Sequence, residues 1–312
     1  MSRIVSIAVT LDGIEEYGAR QGLPADALHV PKDETEPVYG KGWPRLLALM
    51  ARCGLSATFF PLGRYLATPV PTALAREALA TGHELGNHTY AAHELSGRSP
   101  DDLAREIEQG EAALENATGT RPVGFCAPAH HASQALSDAL SARKYLYDAS
   151  LLPSPPAAAA ANMVGSALRR VGLSLPRLPG NLGSVVAPRE PFRVAPGSYL
   201  RPGAGPLVAL PVSALPLARV PLVSSLLLQT SAENAKTLLS PLRGAPFVQV
   251  LLSGLDLLGR DEIPESFLAS RRELQRPLQE RDQLLEELLS WLVEGAENLT
   301  LADAARRFSA NA

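Results

Sequence analysis

Short runs of β-branched and aromatic residues alternate with helical patterns along most of this chain, and that alternation admits few folds. A strand that returns parallel to its predecessor needs a crossover, usually a helix, so the pattern argues for a mainly parallel sheet or barrel. Residues 4–10 (Ile-Val-Ser-Ile-Ala-Val-Thr) read as a buried first strand. The spacing then predicts a helix over 43–53 ended by Gly54, a strand over 57–61, and a helix over 72–81 stopped by Gly82. Ser99 caps a helix over 100–117, with Pro100 at its first position and Asp101 and Asp102 in its first turn. A strand over 122–126, a helix over 133–142 and a short strand over 145–148 follow. Late strands are expected over 206–212 and 247–252 with a helix over 232–239 between them. A long amphipathic helix over 271–294 and a short one over 302–308 close the series.

No internal repeat or domain boundary interrupts this order, so residues 1–312 are expected to form a single domain. The economical architecture is an α/β barrel with its active groups at the C-terminal ends of the strands. At residue 153 the composition changes to a Pro/Ala/Gly-rich insertion that runs to 205. It leads into a helix ending near Val171, then a stretch with little regular structure that could pack across the mouth of the sheet. Residues 271–308 form a C-terminal helical extension.

The net charge of −3 offers no basic field for nucleic acid or an anionic membrane. No apolar run reaches the roughly 18 residues that suggest an integral membrane span. Cys53 and Cys126 cannot build a disulfide framework and read as buried thiols in a reducing compartment. The first apolar run is short and leads straight to Asp12 with no small-residue cleavage site, as a strand would and a signal peptide would not. The expected location is the cytoplasm.

The chemistry concentrates at two strand ends. Asp12 follows the first strand, either as a group displayed at the barrel mouth or as a turn-forming Asp before Gly13. Glu15 and Glu16 come next, in a loop, with solvation their expected fate. Three of the six histidines, His83, His88 and His93, fall within eleven residues. His83 lies early in its strand and reads as a hydrogen-bonded core residue, whereas His88 sits where the strand becomes a loop. His93 does not have the i, i+4 spacing of a helical ligand pair, but a loop could bring it near. His130 and His131 follow another strand end and could line the same mouth. A carboxylate and imidazoles at adjacent strand ends are what a divalent metal needs for hydrolysis.

Together these segments resemble the NodB-like polysaccharide deacetylases, metal-dependent hydrolases on a deformed (β/α) barrel. The resemblance is carried by Val9-Thr10-Leu11-Asp12, by Ala57-Thr58-Phe59-Phe60-Pro61-Leu62-Gly63, and above all by Gly82-His83-Glu84-Leu85-Gly86-Asn87-His88-Thr89. Arg121-Pro122-Val123-Gly124-Phe125-Cys126-Ala127-Pro128 and Tyr147-Asp148-Ala149-Ser150 continue it. The resemblance implies Asp12 and His88 as metal ligands, with zinc the expected ion if the site is intact. The second metal histidine should lie four residues beyond His88, where this chain has Ala92, and His93 falls at the family's proline.

The remaining roles are not matched. Thr10 stands where the family has its general base, Cys126 where it has the arginine that orients that base, and Ser253 where it has the histidine acid. Two readings stay open. In one, the chain is a pseudoenzyme that binds a glycan or amino sugar, binds a protein partner, or serves assembly as a homo-oligomer. In the other, the site is rebuilt, with His93 as third ligand and His130 or His131 as acid or base, and the chain hydrolyses the amide bond of an amino sugar or polysaccharide.

Overall fold

The computed structural model describes residues 2–24, 28, 35–91, 95–154, 187–216 and 219–310. In chain order the strands are β1 (Ile4–Leu11), β2 (Thr58–Pro61), β3 (Glu84–Leu85), β4 (Gly124–Phe125), β5 (Tyr147–Asp148), β6 (Phe192–Ala195), β7 (Ser198–Pro202), β8 (Val208–Ala209), β9 (Phe247–Ser253) and β10 (Glu297–Asn298). All eight residues of β1 are buried, the mark of a strand covered on both faces. It runs parallel to β2 on one side and to β9 on the other, with Thr10 opposite both Phe60 and Ser253.

From β2 the parallel order continues to β3, crosses to β4 through a bridge between Asn87 and Phe125, and goes on to β5 and β8. Just beyond β8, Ser213 donates its N–H to the Gln249 carbonyl at 3.1 Å, and its Oγ accepts the Gln249 N–H at 2.9 Å. These bonds bring the series back to β9, so the expected deformed (β/α) barrel is the observed architecture.

Most helices lie where their caps and apolar spacing put them. The helix Trp43–Cys53 buries Leu46, Leu47, Leu49 and Met50 and ends on Gly54 at φ 65°, a left-handed conformation that glycine adopts without a Cβ penalty. Ser99 Oγ accepts the Asp102 N–H at 3.2 Å and opens the helix Pro100–Thr118. The helix Pro69–Ala80 starts three residues before the expected Thr72, because Pro69 and Pro71 are accommodated in a first turn whose N–H groups have no intrahelical partner.

Three expectations are corrected. The loop after Asp12 is a helix, Ile14–Arg20, with acids in its first turn and Arg20 in its last, the charge order that suits a helix dipole. The single helix over 271–294 is broken into a 3₁₀ turn, Arg272–Gln275, and the helix Leu278–Val293. Pro277 stands between them, lacking the N–H that would carry a helix through. The last part of the insertion is also regular: β6 and β7 form an antiparallel hairpin, and β6 pairs with β8. The helix expected near Val171 lies outside the described residues.

Beyond β9 the chain is tied back to the barrel by Glu262. Its carboxylate takes Arg45 Nη1 at 2.5 Å, Arg45 Nη2 at 2.9 Å and the Gly259 N–H at 2.6 Å. The hydrogen bonds from Arg45 hold the Glu262 carboxyl down at about 2, against an ordinary 4.5. A carboxyl with a depressed folded pKa stabilises above the unfolded value and loses that contribution as pH falls through the folded one. Glu262→Gln should therefore lower the melting temperature at neutral pH. The gap to the native protein should close between about pH 4.5 and pH 2 in a thermal-melt series.

Candidate functional site

The site forms where β1, β3, β4 and β9 end on the same face of the barrel. After β1 the chain turns at Gly13 into the helix Ile14–Arg20, whose first N–H, that of Ile14, is accepted by Glu36 Oε1 at 2.8 Å. Seven residues bring Arg20 within reach of the aspartate that precedes the helix. Arg20 Nη2 lies 2.9 Å from Asp12 Oδ2, and Nη1 lies 3.1 Å from Oδ1. This is a two-pronged guanidinium–carboxylate pair, the strongest geometry open to these groups.

Asp12 is 3% exposed. Burial pushes its carboxyl up, but Arg20 and then His88 outweigh it and hold the group well below the usual carboxylate range. Asp12 is therefore an anion with its counter-charge in place.

His88 reaches the same carboxylate from β3. Its Nδ1 is 2.5 Å from the Cys126 carbonyl and its Nε2 is 3.4 Å from Asp12 Oδ1. The strand end is fixed by Asn87, whose amide donates to the Ile107 carbonyl and to the Tyr145 hydroxyl, each at 2.8 Å, while Oδ1 accepts the Thr89 N–H at 2.9 Å. Gly110 permits that arrangement: a Cβ there would stand 2.3 Å from Asn87 Oδ1.

The positions expected for base, acid and orienting arginine have a different chemistry. Thr10 and Ser253 are neighbours across β1 and β9, and the Tyr17 hydroxyl joins them, 2.6 Å from Ser253 Oγ and 3.4 Å from Thr10 Oγ1. Burial, with the Asp12 charge behind it, pushes the Tyr17 phenol well above its usual range. Burial also raises the Cys126 thiol far above its ordinary value, so it stays neutral, and a thiol in either protonation state offers no cation to orient a base.

His130 shares the electrostatic environment of His88 and Asp12. Burial first, and His88 next, push its imidazole down to about 4, so it is uncharged at neutral pH. Its Nδ1 is buried without a hydrogen-bond partner. His131 is half-buried. His83 is the core residue expected, its Nδ1 accepting the Ala57 N–H at 3.1 Å. His93 lies outside the described residues.

Two of the groups that shape the site, Tyr17 and Arg20, were not read from the sequence. Their i, i+3 spacing was the available signal, obscured because a seven-residue helix with an internal glycine gives little periodicity. Glu16 is a further correction, since it is buried, paired with Arg64 and bonded by the Tyr65 hydroxyl at 3.1 Å. Glu15 is exposed as expected.

The ligand set can be tested on this geometry. Two ligands at about 2.0–2.1 Å around a tetrahedral zinc stand about 3.3 Å apart, close to the 3.4 Å between His88 Nε2 and Asp12 Oδ1. His88 is also oriented as a metal ligand would be, with its other nitrogen on a backbone carbonyl. Yet both Asp12 oxygens are held by a guanidinium. Among the described residues, no three His, Cys, Asp or Glu side chains are grouped to hold an ion. A catalytic zinc site takes three protein ligands and an open position, and the described residues do not fit one.

Comparison with known proteins finds similarity to the family that the strand motifs resemble, over part of the chain. Residues 34–147 match the family model described as polysaccharide deacetylase. A chitooligosaccharide deacetylase of Sinorhizobium fredii is 32% identical over 99 residues, 31% of this chain and 44% of that protein. The matched stretches span less than half the length of the curated relatives. A candidate polysaccharide deacetylase from Mycobacterium smegmatis superposes with a TM-score of 0.62 at 17% identity, covering 100% of this chain and 92% of that one. The allantoinase PuuE superposes at 0.58 and 12% identity, covering 99% and 91%. At these identities the two structures speak for the fold. The sequence similarity to polysaccharide deacetylases is thus confined to part of the chain, residues 34–147 for the family model, while the similarity in fold extends over nearly all of it.

Tyr17→Phe removes the hydroxyl that links β1 to β9 at the mouth. It should cost about 0.5–1.5 kcal/mol, measured by denaturant unfolding.

Proposed function

We propose that this polysaccharide deacetylase homologue does not hydrolyse amides by its family's route and serves instead as a cytoplasmic binding module for a glycan or amino sugar. The observation that carries this reading is the Thr10–Tyr17–Ser253 hydroxyl chain. It occupies the positions expected for the general base and the general acid. A hydroxyl without a neighbouring base cannot take a proton from water at neutral pH, and each missing partner removes on the order of 10² to 10⁴ in rate. His130, neutral and held at about 4, is too weak a base to replace them efficiently, and uncharged it has no acidic proton to give at neutral pH.

The family match supports the ligand class, since the relative named above is a chitooligosaccharide deacetylase. Two unpaired cysteines, one buried and one half-buried, support a reducing compartment. No helix among the described residues is long and apolar enough to cross a membrane.

The test is acetate release from N-acetylglucosamine oligomers with zinc or cobalt present, beside calorimetric binding of the same oligomers. The expected outcome is saccharide binding with no acetate above the blank. Acetate released in proportion to enzyme would sink the proposal and return the rebuilt-site reading.

A further inference from the structure

We infer that Arg20 is a resident cation: its guanidinium takes the place of the divalent ion of the fold family and keeps metal off an Asp12–His88 half-site that the chain still builds. This deepens the reading above, because a chain that does not hydrolyse by the family's route has no need of a metal-bound water.

The argument starts from desolvation. A carboxylate as buried as Asp12 is tolerated only with a counter-charge and hydrogen bonds. In a metalloenzyme the ion supplies the charge and takes up the oxygen lone pairs by coordination. Here the fork of Arg20 supplies charge and hydrogen bonds, with one nitrogen on each oxygen at 2.9 and 3.1 Å. An incoming dication would have to displace a guanidinium that does not lose its proton at any working pH and would meet its charge at close range.

The helix Ile14–Arg20 is built to deliver that group. Glu36 accepts the first N–H of the helix. Tyr17, one turn back, lies beneath the guanidinium with its ring centroid 4.8 Å away, within cation–π range. The packing of Gly18 against Leu28 fixes the helix laterally, since a Cβ on Gly18 would fall 2.3 Å from Leu28 Cδ1.

What remains of the metal half-site points the same way. The 3.4 Å between His88 Nε2 and Asp12 Oδ1 is a chelating separation, and the Cys126 carbonyl holds His88 Nδ1 so that Nε2 faces the carboxylate. The ligands are preserved as a pair while the cation is supplied by the chain. The charge at the bottom of the mouth is therefore set by sequence and does not depend on metal supply or chelators.

Thermal melts and zinc calorimetry on the native chain, Arg20→Ala, Arg20→Ala/Asp12→Asn and Arg20→Ala/His88→Ala test the inference. The native melting temperature should be the same in EDTA and in millimolar zinc, with no Asp12-dependent isotherm. Arg20→Ala should melt lower, gain zinc binding, and recover about 2 °C or more in millimolar zinc. That recovery should vanish in both double variants.

Zinc bound by the native chain and lost on Asp12→Asn would overturn the inference, as would an Arg20→Ala protein that neither loses stability nor gains zinc binding. Should Arg20→Ala fail to fold, the Asp12→Asn double variant decides: removing the carboxylate removes the need for a cation and should restore folding, and failure to do so counts against the idea. Acetate release from a metal-free native chain would sink the functional reading and leave this one standing.

Discussion

Every position of β1 is buried, and its backbone is taken up on both sides, by β2 and by β9. A strand in that position can display polar groups to a site where it ends. Thr10, Asp12 and the helix that follows are therefore displayed at the mouth by the same pairing that closes the barrel. Register across β1 and β9 sets Thr10 beside Ser253, and Tyr17 then bridges two hydroxyls that are more than two hundred residues apart in sequence. The mouth is in this sense a consequence of the core.

The electrostatics of that mouth turn on a buried carboxylate. Asp12 must be neutralised where it stands, and the choice of cation decides what the site can do. A metal ion leaves coordination positions open for water and substrate, so it polarises and activates. A guanidinium presents only N–H donors, so it recognises and orients but cannot generate a hydroxide. The pairing of Asp12 with Arg20 thus gives the mouth a neutral ion pair where a bound dication would leave a net positive charge.

The groups around the pair follow the same logic. A neutral thiol at Cys126 and neutral hydroxyls at Thr10 and Ser253 add no charge beside the Asp12–Arg20 pair. His130, pushed down by burial and by its imidazole neighbour, adds no charge at neutral pH.

The sequence by itself determined the elements whose signals are local. The β-branched run of β1, Ser99 at its cap and Gly54 at its left-handed stop all act within a few residues. The strand motifs around Asp12 and His88 added the barrel and the resemblance to polysaccharide deacetylases. Pro277 was equally legible as a helix breaker, but the apolar spacing on either side of it masked the break. Tertiary structure alone decided the partners of Asp12, because whether Arg20 is solvated or folded back depends on where a seven-residue helix lies against the barrel. It also decided the burial of Glu16 and the bridge from Tyr17 to Ser253, since both join segments distant in the chain. Periodicity reports which face of an element is buried, and it carries no information about which charge meets which.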